Sequence, residues 1–175
     1  NYLFDKLLHN DYRLDPSRLD PDSTRLFVCL RRPEQTIRSI VDLFEKKGTA
    51  EPYASPAAAA GYYIDRLETL AGFCSSSRLP YCYYDAELFQ AAPEMLLARL
   101  TDWLALGSPL SQRYQRFSQT GKARRGDSSS AIYSGRIAQD RVDYSHIPVP
   151  DDVLHRYKEK SLVRRKAGGE VGISV

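Results

Sequence analysis

No run in this 175-residue sequence is long and apolar enough to cross a membrane as a helix, so no membrane partner is expected. Cysteine is scarce. Cys29, Cys74 and Cys82 show neither a CxxC pair nor a Cys/His spacing, which excludes the common zinc and dithiol motifs, and no metal site is expected. Cys29 and Cys82 sit in apolar runs and Cys74 ends a helical pattern, so all three read as buried free thiols of a reducing, cytoplasmic compartment. Charge of one sign is lacking too. A net charge of +3 is too small for the basic bias of most nucleic-acid binders, so small anionic ligands are expected and nucleic acid is not. There is no internal repeat, no low-complexity segment, and no glycine-rich phosphate turn ahead of Arg25. Nothing in the sequence fixes an oligomeric state.

What is present is organised around residues 25–48. Leu26-Phe27-Val28-Cys29-Leu30 has the length and composition of a buried strand. Arg31 and Arg32 follow, and Pro33 suits a first helical position, where its missing N–H costs nothing. Ile37, Ile40, Val41 and Phe44 then recur at helical spacing as one apolar stripe, with Gly48 as a stop. A strand entering a helix N-terminus with arginines at the joint outlines an anion site. The helix end offers free N–H groups, and a guanidinium matches phosphate oxygens. Ser39, eight residues after Arg31, can add a hydroxyl. The same pattern also fits a βα unit whose arginines are solvated surface charges.

Ahead of this stretch, Lys6, His9, Asn10 and Asp11 form a dense polar cluster after a short apolar run. A histidine can take a proton near neutral pH and a lysine can stabilise developing charge, although a strand and polar turn would look the same. Further on, the pattern predicts a helix over Ala57–Phe73, a strand over Pro80–Tyr84, and a helix over Pro93–Leu106 that holds the single tryptophan in its apolar face. A helical turn is expected at Tyr114–Phe117, a basic loop at Gly121–Ser130, and a last helix at Pro150–Leu162 with Val153, Leu154 and Tyr157 inward. One domain over residues 1–162 and a basic, glycine-rich tail over 163–175 follow from this reading, with the tail frayed.

The strand, Arg31-Arg32-Pro33 and Ser39 resemble the 3′-phosphate-binding segment of sulfotransferases that use 3′-phosphoadenylyl sulfate (PAPS). In that family the order is strand, Arg-x-Pro, then a helix with Ser eight residues after the Arg. The middle block is similar as well. Tyr84-Asp85-Ala86-Glu87-Leu88, Pro93, and Trp103 through Gly107 resemble the family's Tyr-Glu-Asp-Leu, Pro and Phe-Leu-Gly series, with one extra residue between Tyr and Leu. Gly126-Asp127-Ser128, Ile132 and Gly135-Arg136-Ile137 resemble a loop of some bacterial members, and Arg165-Lys166-Ala167-Gly168 resembles the Arg-Lys-Gly segment of cytosolic ones.

The resemblance implies an α/β fold: a P-loop-NTPase-like parallel sheet flanked by helices, with a mostly helical C-terminal half. It also implies that the chain is N-terminally incomplete, because the family's phosphosulfate loop has no counterpart here. By the same resemblance Arg31 and Ser39 would hold the 3′-phosphate, and Tyr84 would lie near the adenine, with Tyr83 as an alternative. Lys6 would stabilise the transferred sulfuryl group and His9 would act as base. Lys6 and His9 stand at K-x-x-H where well-known members have K-x-H, so Asn10 or a residue further upstream is the alternative base. The implied reaction moves a sulfuryl group from PAPS to a hydroxyl or amine of a small-molecule or glycan acceptor, without a metal. Two other readings remain: a catalytically inactive module that binds a nucleotide, an anion or a protein partner, and a P-loop nucleotide kinase relative that would require magnesium.

Overall fold

The computed structural model describes residues 10–11, 13–46, 53–77, 79–116, 118, 130–137, 143–167 and 172–173. Strand β1 (Leu26–Leu30) leads into helix α1 (Pro33–Lys46), and α2 (Pro56–Ser76) returns the chain to strand β2 (Tyr81–Asp85). Helices α3 (Leu88–Ala91), α4 (Pro93–Trp103) and α5 (Asp151–Ala167) and a two-residue strand β3 (Gly172–Ile173) complete the order, with short 3-10 turns at Pro16–Arg18 and Ser130–Ser134. The sheet runs β1-β2-β3 and is parallel throughout. The chain is therefore an α/β protein.

A parallel sheet needs cover on both faces, and alternation along the strands supplies two apolar surfaces. Val28 and Leu30 of β1 and Tyr83 of β2 face one cluster, with Ile37 and Val41 of α1, Tyr63 and Leu67 of α2, Ile147, and Val153 of α5. Cys82 and Tyr84 face the other, with Leu88 of α3 and Leu96 and Leu100 of α4, and Phe27 and Trp103 pack at its margin. Each helix is set by its sequence. Pro33, Pro56 and Pro93 all open helices, and the Ser55 Oγ accepts the Ala58 N–H at 3.2 Å to cap α2. Arg38 of α1 donates from Nε to the Ile147 carbonyl at 2.8 Å and ties the segment before α5 to the sheet's helical layer.

Several expectations change. Cys29 is exposed, not buried, because β1 is the edge strand among the described residues and Cys29 points away from the Val28–Leu30 face. Tyr114 to Arg116 form no helical turn. Tyr114 N–H donates to the Gly135 carbonyl and Ile137 N–H to the Gln112 carbonyl, both at 2.9 Å, so this segment pairs with a distant one instead. Helix α5 runs through position 162 to Ala167, and Gly172–Ile173 joins the sheet beside β2. Those parts of the expected frayed tail are thus helix and strand. Position 172 gains a strand only through pairing with Tyr83, a long-range contact that local composition does not signal. The short α3 was also not foreseen.

Candidate functional site

The site lies where β1 and β2 end together. The register pairs Leu30 with Asp85, and Ala86 N–H donates to the Leu30 carbonyl at 2.8 Å, which extends the pairing one step past the strands. Residues 86–87 are therefore brought beside Arg31 and Arg32, at the carboxyl ends of parallel strands, where open α/β sheets place their ligands.

Arg32 stands immediately before α1 and has no side-chain oxygen with which to cap it. In the usual capping arrangement a Glu or Gln at the third helical position reaches back to the cap residue's N–H. Here Glu87, 55 residues away, does this, its Oε1 accepting the Arg32 N–H at 2.9 Å. Gln35, the residue at the third helical position, is thereby released, and its Oε1 accepts from an Arg31 terminal nitrogen at 3.4 Å. That contact is long, but it sets the direction in which the guanidinium leans. Ser39 follows Gln35 at i+4 on the same helix face, half-buried, and its hydroxyl takes no partner among the described residues. Arg31 is exposed and has no carboxylate partner among the described residues.

The backbone of Arg31 is fixed from below. The Tyr63 hydroxyl, on α2, donates to the Arg31 carbonyl at 2.8 Å, and the Thr36 hydroxyl approaches the same carbonyl at 3.4 Å. The Thr36 hydroxyl and N–H both also bond the Arg32 carbonyl, each at 3.0 Å. The joint is thus held by three elements, α1, α2 and the β2–α3 turn, while the Arg31 side chain projects out of it.

Glu87 introduces a second feature. One carboxylate oxygen serves Arg32, and the other, Oε2, is buried with no hydrogen-bond partner among the described residues. A carboxylate thus already occupies the N-terminal amide of α1 that a phosphate would otherwise use. The Arg32 N–H is thereby closed to any other oxyanion at this joint.

Tyr84 lies lower in the fold. It is 9% exposed, its ring meets Phe89 edge-on with centroids 5.7 Å apart, and its hydroxyl lies beside the Cys29 thiol. Burial, with Cys29 beside it, raises the Tyr84 phenol above its ordinary range. Cys29 is raised to about 11, first by loss of solvent around its sulfur and further by the Glu87 and Asp85 carboxylates, against the opposing bond from Tyr84. Cys29 is exposed as a residue while its sulfur is shielded. The sulfur's own surroundings govern its acidity. Tyr83, the alternative for the adenine, is 5% exposed, and its hydroxyl donates to Asp85 Oδ1 at 2.6 Å. Both tyrosines, as seated, are core side chains with no open ring face.

The structure therefore places Arg31 just before α1, against Gln35, with Ser39 one turn further along that helix, and sets Tyr84 in the layer beneath. Lys6 and His9 lie outside the described residues, as do residues 121–129 of the basic loop. Glu87, Gln35 and Tyr63 were not singled out in the sequence as site residues. Gln35 carried a weak local signal, four residues after Arg31, whereas Glu87 and Tyr63 become relevant only through the pairing of β1 with β2 and the packing of α2. No protein-family model, curated protein or solved structure matches the chain.

Proposed function

We propose that this chain is a PAPS-dependent sulfotransferase domain of P-loop-like α/β architecture, with the Arg31 joint as the seat of the cofactor's 3′-phosphate. The observation that carries the reading is the placement of Arg31 at the carboxyl end of a parallel strand, in contact with Gln35 of α1, with Ser39 one turn further along that helix. A planar cation with no carboxylate partner among the described residues, and a nearby helix hydroxyl with no partner among them either, suit a phosphate monoester. The fit to adenine is poorer, since Tyr84 packs edge-on to Phe89.

PAPS supplies an activated sulfuryl group. The protein's part is to anchor the 3′-phosphate through Arg31 and Ser39, so that remote binding orients the reacting end. On the sequence resemblance, Lys6 neutralises charge on the transferred group and His9, or an upstream residue in its place, receives the acceptor's proton. The acceptor is a hydroxyl or amine on a small molecule or glycan.

A non-catalytic anion-binding module is the second reading. It is favoured by Glu87, whose carboxylate removes the Arg32 N–H from the donors available to a phosphate. Calorimetric titration without magnesium, using adenosine 3′,5′-bisphosphate and adenosine 5′-monophosphate, tests the cofactor site. Arg31→Ala should weaken the bisphosphate at least tenfold and the monophosphate little. Equal weakening of both overturns a 3′-phosphate role, and sulfuryl transfer to any acceptor decides between enzyme and module.

A further inference from the structure

Arg113 and Arg136 are the paired residues of an isolated antiparallel bridge. The flanking bonds, Tyr114 N–H to the Gly135 carbonyl and Ile137 N–H to the Gln112 carbonyl, make the arginines a non-hydrogen-bonded pair. In such pairs the side chains stand closer together than anywhere else in an antiparallel ladder. Two like charges placed directly opposite destabilise the ribbon that carries them. Both arginines are exposed, and neither has an ion pair or side-chain hydrogen bond among the described residues.

The two strands pin their arginines in the same way. Ser111 Oγ accepts the Arg113 N–H at 3.1 Å, and Ser134 Oγ accepts the Arg136 N–H at 3.3 Å. Each arm thus reads Ser-x-Arg, with the serine fixing the arginine's backbone. Gly135 lets the second arm close, since its φ of +68° is a conformation that side-chain-bearing residues rarely adopt. Arg113 also borders an open groove of about 410 Å³ between α4 and the 109–113 segment, floored by Leu97, Pro109 and Leu110. Glu94, the only carboxylate among the described residues that line that groove, accepts from Gln112 Nε2 at 3.3 Å and does not neutralise Arg113.

We propose that Arg113 and Arg136 form a clamp for a tetrahedral dianion of the phosphomonoester class, borne on an apolar body that lies in the Leu97–Leu110 groove. Two guanidinium forks side by side offer paired N–H donors to the several oxygens of such a group, and the double negative charge relieves the repulsion between them. The ligand's apolar part covers the groove floor. This clamp is built on the 111–113 and 134–136 arms, apart from the β1–α1 joint, and rests on no part of the sulfotransferase reading.

The test is calorimetric titration of the full chain with phenyl phosphate, inorganic phosphate and benzoate. Phenyl phosphate should bind most tightly, inorganic phosphate more weakly for want of the apolar body, and benzoate weakest for want of the second charge. Arg113→Gln and Arg136→Gln should each weaken phenyl phosphate at least tenfold, with folding checked by circular dichroism. Arg113→Lys, which keeps the charge and side-chain bulk and loses the fork, should weaken it severalfold. Arg31→Ala, which removes the phosphate monoester site proposed at the β1–α1 joint, should leave a phenyl phosphate site that still requires Arg113 and Arg136. The proposal is overturned if the parent chain does not bind phenyl phosphate at millimolar concentration, if the arginine variants bind like the parent, if benzoate binds as tightly, or if Arg31→Ala removes the binding instead.

Discussion

Tyr63→Phe isolates the contribution of α2 to the placement of Arg31. The tyrosine is 5% exposed, and its hydroxyl donates to the Arg31 carbonyl at 2.8 Å. Phenylalanine fills the same space, so no cavity forms and the change falls on the hydrogen bond. The remaining donor to that carbonyl, the Thr36 hydroxyl at 3.4 Å, is too long to take over. A net hydrogen bond contributes about 1 kcal/mol. In a chain of this size that corresponds to a fall in Tm of about 2–4 °C. In urea, the midpoint should drop without a change in slope, because the area exposed on unfolding is the same. If the hydroxyl also fixes where Arg31 points, affinity for adenosine 3′,5′-bisphosphate should fall about fivefold, the equivalent of the same 1 kcal/mol. An unchanged urea midpoint refutes the argument at its first step. A lowered midpoint with unaltered affinity refutes the link from joint to guanidinium while leaving the hydrogen bond's value intact.

Glu87→Ala removes the carboxylate that caps α1 from across the sheet and should cost about 2 kcal/mol, the range for a bond to a charged group. Glu87→Gln keeps an acceptor for the Arg32 N–H and should cost less, so equal urea midpoints for the two variants would refute the capping role. Cys29, held at about 11 against an ordinary 9.0, keeps its proton longer in the folded chain than in the unfolded one. Its contribution to stability is therefore full below about pH 9 and lost as the pH rises toward 11. Urea midpoints between those limits should fall more steeply for the parent than for Cys29→Ala. Iodoacetamide at pH 8, followed by peptide mapping, should label Cys29 far more slowly than a free thiol, and labelling at the free-thiol rate would contradict the shielding.

The elements that depend on local pattern were readable in the sequence. β1 occupies the expected Leu26–Leu30, and α1 opens at Pro33, because an apolar run of strand length and a helix-initiating proline need no distant partner. The helix expected from Ala57 begins one residue earlier, at Pro56, with Ser55 as its cap. Elements that depend on pairing were not readable. Residues 172–173 become a strand only against Tyr83 and Tyr84, and Arg113 meets Arg136 across 22 intervening residues. Tyr114, whose neighbours Gln115 and Arg116 suit a helical turn, is instead drawn into that bridge, where pairing outweighs local preference.

The site divides along the same line. Arg31 stands two residues before α1 and Ser39 lies within it, so their separation was readable from the sequence alone. Glu87 could be linked to Arg32 only by knowing that Leu30 pairs with Asp85, since a register one residue different would carry Glu87 away from the helix end and turn its side chain to the other face. The consequence is chemical. An anion site inferred from a strand, two arginines and a helix N-terminus assumes that the helix amides are open. Here one of them is closed by a carboxylate of the same chain. Binding at this joint then rests more on side chains. Recognition there should therefore be more sensitive to Arg31→Lys, which loses the planar fork, than in a loop where backbone amides share the anion.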